Sequence, residues 1–227
     1  MKAAWAYLNP KIDYGEFTDE RDGQVYKTVK IGTQTWMAEN LNYDPGYVSD
    51  MSSYAWSGCY NNKADSCAKY GRLYTWEVAM DDASCAYGNS CNPSGIVQGI
   101  CPSGWHLPTK EEWQQLVKPM AYSVDDNTTY WNYYGAGVEL KTVDGWSYYS
   151  SSTASTNASG FSALPAGCRE GGDGGFYRAG YGARFWSASE DGSDDAYYLY
   201  LYYYGGGADL GPDDKAPAFS VRCVQNN

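Results

Sequence analysis

The sequence predicts an α+β fold, and three observations carry that expectation. Helical signals are confined to the stretch before Pro119, whereas four short strand-like runs follow Gly160. Those runs are separated by turns rich in Gly and Asp, which suit hairpins and leave no room for helical crossovers. At 227 residues the chain can bury a substantial core, and no compositional break divides it.

The elements follow in chain order. "QVYKTVKIGTQTWMAENL" places Val25, Val29 and Ile31 at even spacings ahead of a Gly-Thr turn, which predicts a hairpin whose second strand surrounds Trp36. "GRLYTWEVAM" carries Leu73, Trp76, Val78 and Met80 near helical spacing and is expected to form a short helix. In "CPSGWHLPTKEEWQQLVKPM", Thr109 and Glu112 form a capping box, Trp113, Leu116 and Val117 supply the buried stripe, and Pro119 should end the helix. From Asp125 to Gly160 the chain is rich in Tyr, Ser, Thr, Asn and Gly, so loops with little regular structure are expected. The strand-like runs are "FSALPAGCRE", "ARFWSASE", "AYYLYLYYYG" and "AFSVRCVQ".

The third of these runs holds six tyrosines and two leucines between Tyr197 and Tyr204. As a strand it turns Tyr197, Leu199, Leu201 and Tyr203 to one face, expected to be core. Tyr198, Tyr200, Tyr202 and Tyr204 go to the other. Burying that row of hydroxyls without partners would be costly, so an exposed binding face is expected there. The wider composition agrees, with 24 Tyr and 9 Trp against 5 Phe, a bias toward rings with a polar handle.

A net charge of −11 argues against nucleic acid and anionic membrane surfaces as partners. No run reaches the roughly 18 to 20 apolar residues of a membrane span, so no membrane insertion is expected. "MKAAWAYLNP" lacks the apolar centre of a signal peptide. The seven cysteines nevertheless point to an oxidising compartment. Cys59 and Cys67 bracket "YNNKADS", Cys85 and Cys91 bracket "AYGNS", and both pairs are expected to close local loops. Cys101 and Cys223 are then expected to form a long-range bridge with Cys168 left single, although six cysteines alone permit many connectivities. No CxxC occurs and there is one histidine, which disfavours a metal site.

"DGQVYKTVKIGTQTWMAENLNY", "CAKYGRLYTWEVAM", "GWHLPTKEEW", "GFSALPAGCRE", "FWSASE" and "FSVRCV" together resemble the Fibrobacter succinogenes major paralogous domain, from about Phe17 to Gln225. The resemblance implies residues 1–16 as an N-terminal extension and 17–227 as a single domain. It implies a C-type lectin-like fold with two helices, a twisted antiparallel sheet, joined termini and long loops forming a ligand face. It also implies a relation to formylglycine-generating enzymes, which hold copper on a pair of cysteines just before the final strand. Here that segment is "GGGADLGPDDKAPA", with no cysteine, and the calcium-binding tripeptides of sugar-binding C-type lectins are missing too. The resemblance therefore carries over a scaffold rather than a chemistry.

The expected function is an adhesin-like, ligand-binding domain, secreted or on a bacterial cell surface, with no catalytic residues. The alternative is a metal-dependent oxidase or hydrolase related to formylglycine-generating enzymes. Ligand contacts are expected from Tyr198, Tyr200, Tyr202 and Tyr204, with Tyr181, Arg184, Trp186, Asp191, Asp194, Asp213 and Asp214 around them. The partner would be a surface glycan, a polysaccharide or a cell-surface protein. Between Gly167 and Phe219, scaffold residues such as Phe185, Trp186, Ser187 and Leu199 interleave with Tyr, Asp, Gly, Ala, Ser, Pro and Cys. Those seven types are reachable by changing adenines in Asn codons, as in variable proteins diversified by a diversity-generating retroelement, and the composition equally resembles antibody paratopes, where Tyr gives rigid contact area and Ser, Gly and Asn adaptable polar contacts. His106 is expected to be a packing residue and Cys168 a partly buried thiol. Glu170, Glu190 and Asp191 are too ordinary in so acidic a chain to mark a glycosidase. "SEDGSDDA" and "GPDDKA" offer oxygens to calcium but lack the alternating spacing of an EF-hand loop, so no cofactor is expected.

Overall fold

The computed structural model describes residues 3–46, 51–127, 129–148 and 154–226. Among these the strands are β1 Gly15–Thr18, β2 Val25–Ile31, β3 Gln34–Met37, β4 Ser57–Gly58, β5 Leu73–Thr75, β6 Trp105–His106, β7 Ser123–Asn127, β8 Tyr130–Tyr134, β9 Cys168–Arg169, β10 Phe176–Tyr177, β11 Gly182–Asp191, β12 Asp195–Tyr202, β13 Ala208–Asp214, β14 Ala218–Ser220 and β15 Val224–Gln225. The α-helices are α1 Ala64–Tyr70, α2 Trp76–Met80, α3 Lys110–Val117 and α4 Ala136–Leu140. The class is thus α+β with few helices.

The strands form two sheets. The smaller runs β1-β2-β3-β15-β6, and the larger runs β10-β9-β14-β11-β12-β13-β8-β7, with β5 beside β14 and β4 beside β5. Strand pairings are antiparallel except that of β11 with β14. The expected hairpin is β2–β3, turning at Gly32 and Thr33. Three disulfides join Cys59 to Cys67, Cys85 to Cys91 and Cys101 to Cys223, and Cys168 is free and buried.

The large sheet is packed on both faces, but unequally. On one face Phe185, Leu199, Leu201 and Leu210 meet Trp113, Leu116 and Val117 of α3, together with Trp36 and Phe161. On the other, Trp186, Ala196 and Phe219 meet Tyr74, Trp76, Val78 and Met80 from β5 and α2. That second layer covers only part of its face, and the remainder carries the candidate site.

The C-terminal run crosses between the sheets. Ala218–Ser220 lies in the large sheet and Val224–Gln225 in the small one, so "AFSVRCVQ" forms two short strands rather than the single one expected. At the crossing Arg222, 1% exposed, donates to Asn40 Oδ1 at 2.6 and 3.1 Å, to Met37 O at 3.2 Å and to the carbonyl of Phe161. Its guanidinium also lies 4.3 Å from the Phe161 ring centre.

Three further expectations are corrected. "GRLYTWEVAM" is half strand, because Leu73–Thr75 pairs with β4 and β14 before the helix begins at Trp76. The stretch expected to be loop from Asp125 to Gly160 contains most of the β7–β8 hairpin and all of α4; its residues 128 and 149–153 lie outside the described ones. The segment read as a turn after Tyr204 contains β13, whose Gly and Pro weaken a local strand signal but which is held between β12 and β8. Pro212 is tolerated there because β8 pairs with β13 only from Ala208 to Leu210, so no ladder bond on that side is lost at Pro212.

The α3 capping box forms as expected, with Thr109 Oγ1 accepting from Glu112 N at 3.2 Å and Glu112 Oε2 accepting from Thr109 N at 2.9 Å. His106 extends it, its Nε2 lying 2.8 Å from Glu112 Oε1 and its Nδ1 2.7 Å from Asn226 Oδ1. Burial opposes charge on His106, yet its bonds to Glu112 and Asn226 raise its pKa above 6.5; burial likewise opposes charge on Glu112, whose bonds from His106 and Thr109 lower its pKa below 4.5. The pair is therefore strongest where both are ionised, weakening as pH rises through the folded His pKa or falls through the folded Glu pKa. In urea titrations at a series of pH values, the stability lost on His106→Gln should be largest between 4.5 and 6.5 and shrink on either side.

Candidate functional site

β12 shows the expected period of two: Tyr197, Leu199 and Leu201 are buried and Tyr198, Tyr200 and Tyr202 only partly so. The strand ends at Tyr202, so Tyr203 and Tyr204 belong to the turn that follows, and Tyr204 is 49% exposed. The outward rings form a chain, with centroids 6.2 Å apart from Tyr198 to Tyr200, 5.3 Å from Tyr200 to Tyr202 and 4.3 Å from Tyr202 to Tyr204. Tyr181, also exposed, stands edge-on to Tyr203 at 5.1 Å.

The row is not uniformly open. Trp186, directly opposite Tyr198 in the β11–β12 register, is fully buried, stacks on Phe219 at 4.2 Å and donates from Nε1 to Tyr74 O at 2.8 Å. It is a core residue, contrary to its expected place among the ligand contacts. Tyr198 packs on Phe219 at 5.2 Å, and burial pushes its phenol pKa well up. The layer formed by β5 and α2 covers this end, which leaves Tyr200, Tyr202 and Tyr204 to face outward.

The open end has an unusual floor. Four buried side-chain atoms among the described residues lack a hydrogen-bond partner: Arg184 Nε, Tyr200 Oη, Asp209 Oδ1 and Asn132 Oδ1. They belong to one cross-strand row, because Arg184 is opposite Tyr200, Tyr200 opposite Asp209, and Asp209 opposite Asn132 on β11, β12, β13 and β8. Residues opposite one another on neighbouring strands share a face. Burial pushes the Tyr200 pKa up to about 12, against the pull of Arg178 and Arg184, and burial also raises that of Asp209. Asn132, Tyr200 and Asp209 line a cavity of about 400 Å³ with Arg178, Tyr202 and Tyr204. A second cavity of about 400 Å³, bounded by Glu170, Tyr177 and Tyr181, shares Arg178 and Tyr202 with the first. Together they form a groove with aromatic walls and a polar floor.

Two features fix its shape. Lys141, 1% exposed, donates from Nζ to Tyr202 O at 3.0 Å and Gly205 O at 2.6 Å, holding the tyrosine turn from beneath. At Gly207 a Cβ would stand 2.6 Å from Asn132 Oδ1, so only glycine lets that oxygen occupy the floor.

The chain matches the Fibrobacter succinogenes major domain over residues 29–225. It belongs to that family. Neither a curated protein nor a solved structure matches it. The family match runs from within β2 to the end of β15, so the groove, Lys141 and Arg222 all lie inside the Fibrobacter succinogenes major domain. Residues ahead of the match also pack on it: Leu8, Ile12 and Tyr14 touch the core beneath β12, and Trp5 Nε1 donates to Glu39 Oε2 at 2.7 Å.

The acidic candidates sit elsewhere in the domain. Asp191 and Asp194 flank the β11–β12 turn, at the end of β12 opposite to Tyr202, and Asp214 is across from Asp195 beside that turn. Asp213 lies 3.7 Å from the Arg184 guanidinium, which is also 3.8 Å from Glu170. Beneath the turn, the fully buried Lys215 ammonium meets Glu190 Oε1 at 2.7 Å, Asn89 O at 2.8 Å and the carbonyls of Gly192 and Ser193 at 3.0 Å. Glu190 also accepts from the Cys91 and Asn92 amides, and these bonds, against the cost of burial, lower its pKa. An ammonium thus occupies an all-oxygen cage of the kind that acidic turns offer a metal ion. The described residues hold no cluster of three or more His, Cys, Asp or Glu suited to a metal. Cys168 is wholly buried and its pKa is pushed up to about 12, mainly by burial, which leaves little thiolate.

Asn132, Arg178 and Asp209 were not among the expected contacts. Asn132 fell in a stretch read as loop and Asp209 in one read as a turn, and their placement follows from strand register alone. The unequal covering of the sheet gives a direct check. Leu201→Ala should cost about 2 to 5 kcal/mol in chemical denaturation, whereas Tyr204→Ala should leave the midpoint unchanged. Tyr198→Ala, which sequence alone would make innocuous, should destabilise because its ring packs on Phe219.

Proposed function

We propose that this domain is an adhesin-like binding module, secreted or displayed on a bacterial cell surface, that takes a glycan, a polysaccharide or a cell-surface protein into the tyrosine-walled groove. The observation that carries this reading is the row of unpartnered polar atoms on the groove floor. Leaving such groups buried and unpaired costs free energy, and a ligand that pairs them recovers it. Tyrosines around such a floor give rigid contact area at low entropic cost. The three disulfides support an extracytoplasmic location. The sealed thiol of Cys168 speaks for binding rather than the oxidase chemistry of formylglycine-generating enzymes. We also place the domain, on its motifs, in the C-type lectin-like superfamily, with binding delegated to the sheet face rather than to a bound calcium ion.

Arrays of glycans and of cell-surface proteins probed with the chain test this reading. At least one ligand should be retained by the wild type and lost, by about tenfold or more, on Tyr202→Ala or Tyr204→Ala. Retention of every ligand by both variants would move the binding surface away from the groove.

Diversification is supported by a division of labour within the sheet. Phe185, Trp186, Ser187, Leu199, Phe219, Ser220, Val221 and Arg222 are at most 1% exposed, while Tyr200, Tyr202 and Tyr204 are turned outward. Sequencing around the gene should then reveal a near-repeat of the segment encoding about Gly167 to Val224, differing at adenines, beside a reverse transcriptase. Absence of both would remove diversification and leave the binding role standing.

A further inference from the structure

The chemistry of the groove narrows the ligand. Its floor presents two acceptor oxygens side by side, Asn132 Oδ1 and Asp209 Oδ1, and the Tyr200 hydroxyl next to them. Side chains opposite one another on adjacent strands lie about 5 Å apart at Cβ, so the ligand must bring two or more donors within a short span. The groove carries both signs of charge, Arg178 in both halves against Glu170 in one and Asp209 in the other, so it offers a ligand of either sign an unfavourable neighbour. A carboxylate ligand would meet the Asp209 carboxylate on the floor. What remains is a neutral molecule rich in closely spaced hydroxyls, each able to donate to Asp209 or Asn132 while accepting from Arg178 or Tyr200.

The walls and the shape point the same way. Tyr202 and Tyr204 stand at 84° to one another with centroids 4.3 Å apart, so one ring presents its face where the other presents its edge. An aromatic face matches the C–H face of a pyranose ring. The two cavities of about 400 Å³ joined at Arg178 and Tyr202 make an elongated site, longer than one sugar ring needs. A peptide strand offers single N–H donors one at a time, each next to a carbonyl that the Asp209 and Asn132 oxygens would oppose.

We propose that the groove binds a neutral oligosaccharide without calcium, sugar hydroxyls donating to Asp209 Oδ1 and Asn132 Oδ1 and pyranose faces lying on Tyr202 and Tyr204. This rests on the ligand-binding reading above and adds the ligand's class and the residues that select it. The proposed contacts need no calcium: the described residues hold no cluster of three or more His, Cys, Asp or Glu at the groove, and the oxygen cage at the far end of β12 is filled by Lys215. Asn132 and Asp209 are therefore the specificity-determining pair, and Tyr202 and Tyr204 supply the platform.

Isothermal titration of the full chain in EDTA, against neutral oligosaccharides of the cellulose, xylan and mannan types with oligogalacturonate as a charged control, tests the proposal. A neutral oligosaccharide should bind, with unchanged affinity when calcium replaces EDTA. Asp209→Ala and Asn132→Ala should each weaken binding by about tenfold or more, as expected when a sugar loses one buried polar partner. Tyr204→Ala should do the same, and because Tyr204 is half-exposed it keeps the test valid should a floor variant fail to fold. Asp191→Ala and Asp194→Ala, at the far turn, should bind like the wild type. Binding that requires calcium, binding of oligogalacturonate alone, or folded Asp209→Ala and Asn132→Ala chains with wild-type affinity would each overturn the proposal. If no saccharide binds but a cell-surface protein does, with loss on Tyr204→Ala, the sugar assignment is wrong and the ligand-binding function survives; if neither binds, both fall.

Discussion

The fold depends on one buried guanidinium. Arg222 sits where the last strand-forming run leaves the large sheet and enters the small one, and its donors reach Met37 at the end of β3, Asn40 just after it and the carbonyl of Phe161 in the segment before β9. Three distant parts of the chain thus meet on one charged group with no carboxylate bonded to it. A cation so buried is tolerable only when its hydrogen bonds are made, and removing it would leave several acceptors unsatisfied at once. The disulfide from Cys101 to the adjacent Cys223 fastens the same crossing covalently. With the crossing fixed, β14 is held beside β11, and β11 and β12 follow in register.

Register then produces the candidate site. The leucine face of β12 is sealed by α3 and its tryptophan-rich surroundings, and the opposite face is sealed only as far as Tyr198. Beyond that point no layer of the described residues covers the sheet, and polar residues on four neighbouring strands line up on a partly enclosed floor. Two buried lysines brace the strand at either end. Lys141 holds the carbonyls of the tyrosine turn, and Lys215 draws the carbonyls and the carboxylate of the acidic end together. Each is an internal cation matched to backbone oxygens, which fixes a loop without requiring a metal. A groove braced in this way loses little conformational entropy on binding.

The parts of this protein that its sequence by itself determined are those whose physics is local. The capping box at Thr109 and Glu112 spans one turn of helix, the period of two along Tyr197 to Leu201 needs only a strand, and the bridges closing "YNNKADS" and "AYGNS" link near neighbours. The family motifs added the long-range frame, since "GWHLPTKEEW" and "FSVRCV" carry the α3 cap and the Arg222 crossing. Tertiary structure alone decided the rest. The strands within 123–134 and Ala208 to Asp214 are weak by composition, and they exist because β12 offers β13 an edge to extend and β13 in turn offers one to β8. Trp186 and Tyr198 look like contact residues until β5 and α2 fold over them. Asn132 and Asp209 meet only through the pairing of β13 with β8, 77 positions of chain separating them. Hydrogen-bond registers between segments so far apart are set by the packing of the whole sheet, so the floor of the groove becomes visible only when the strands stand side by side.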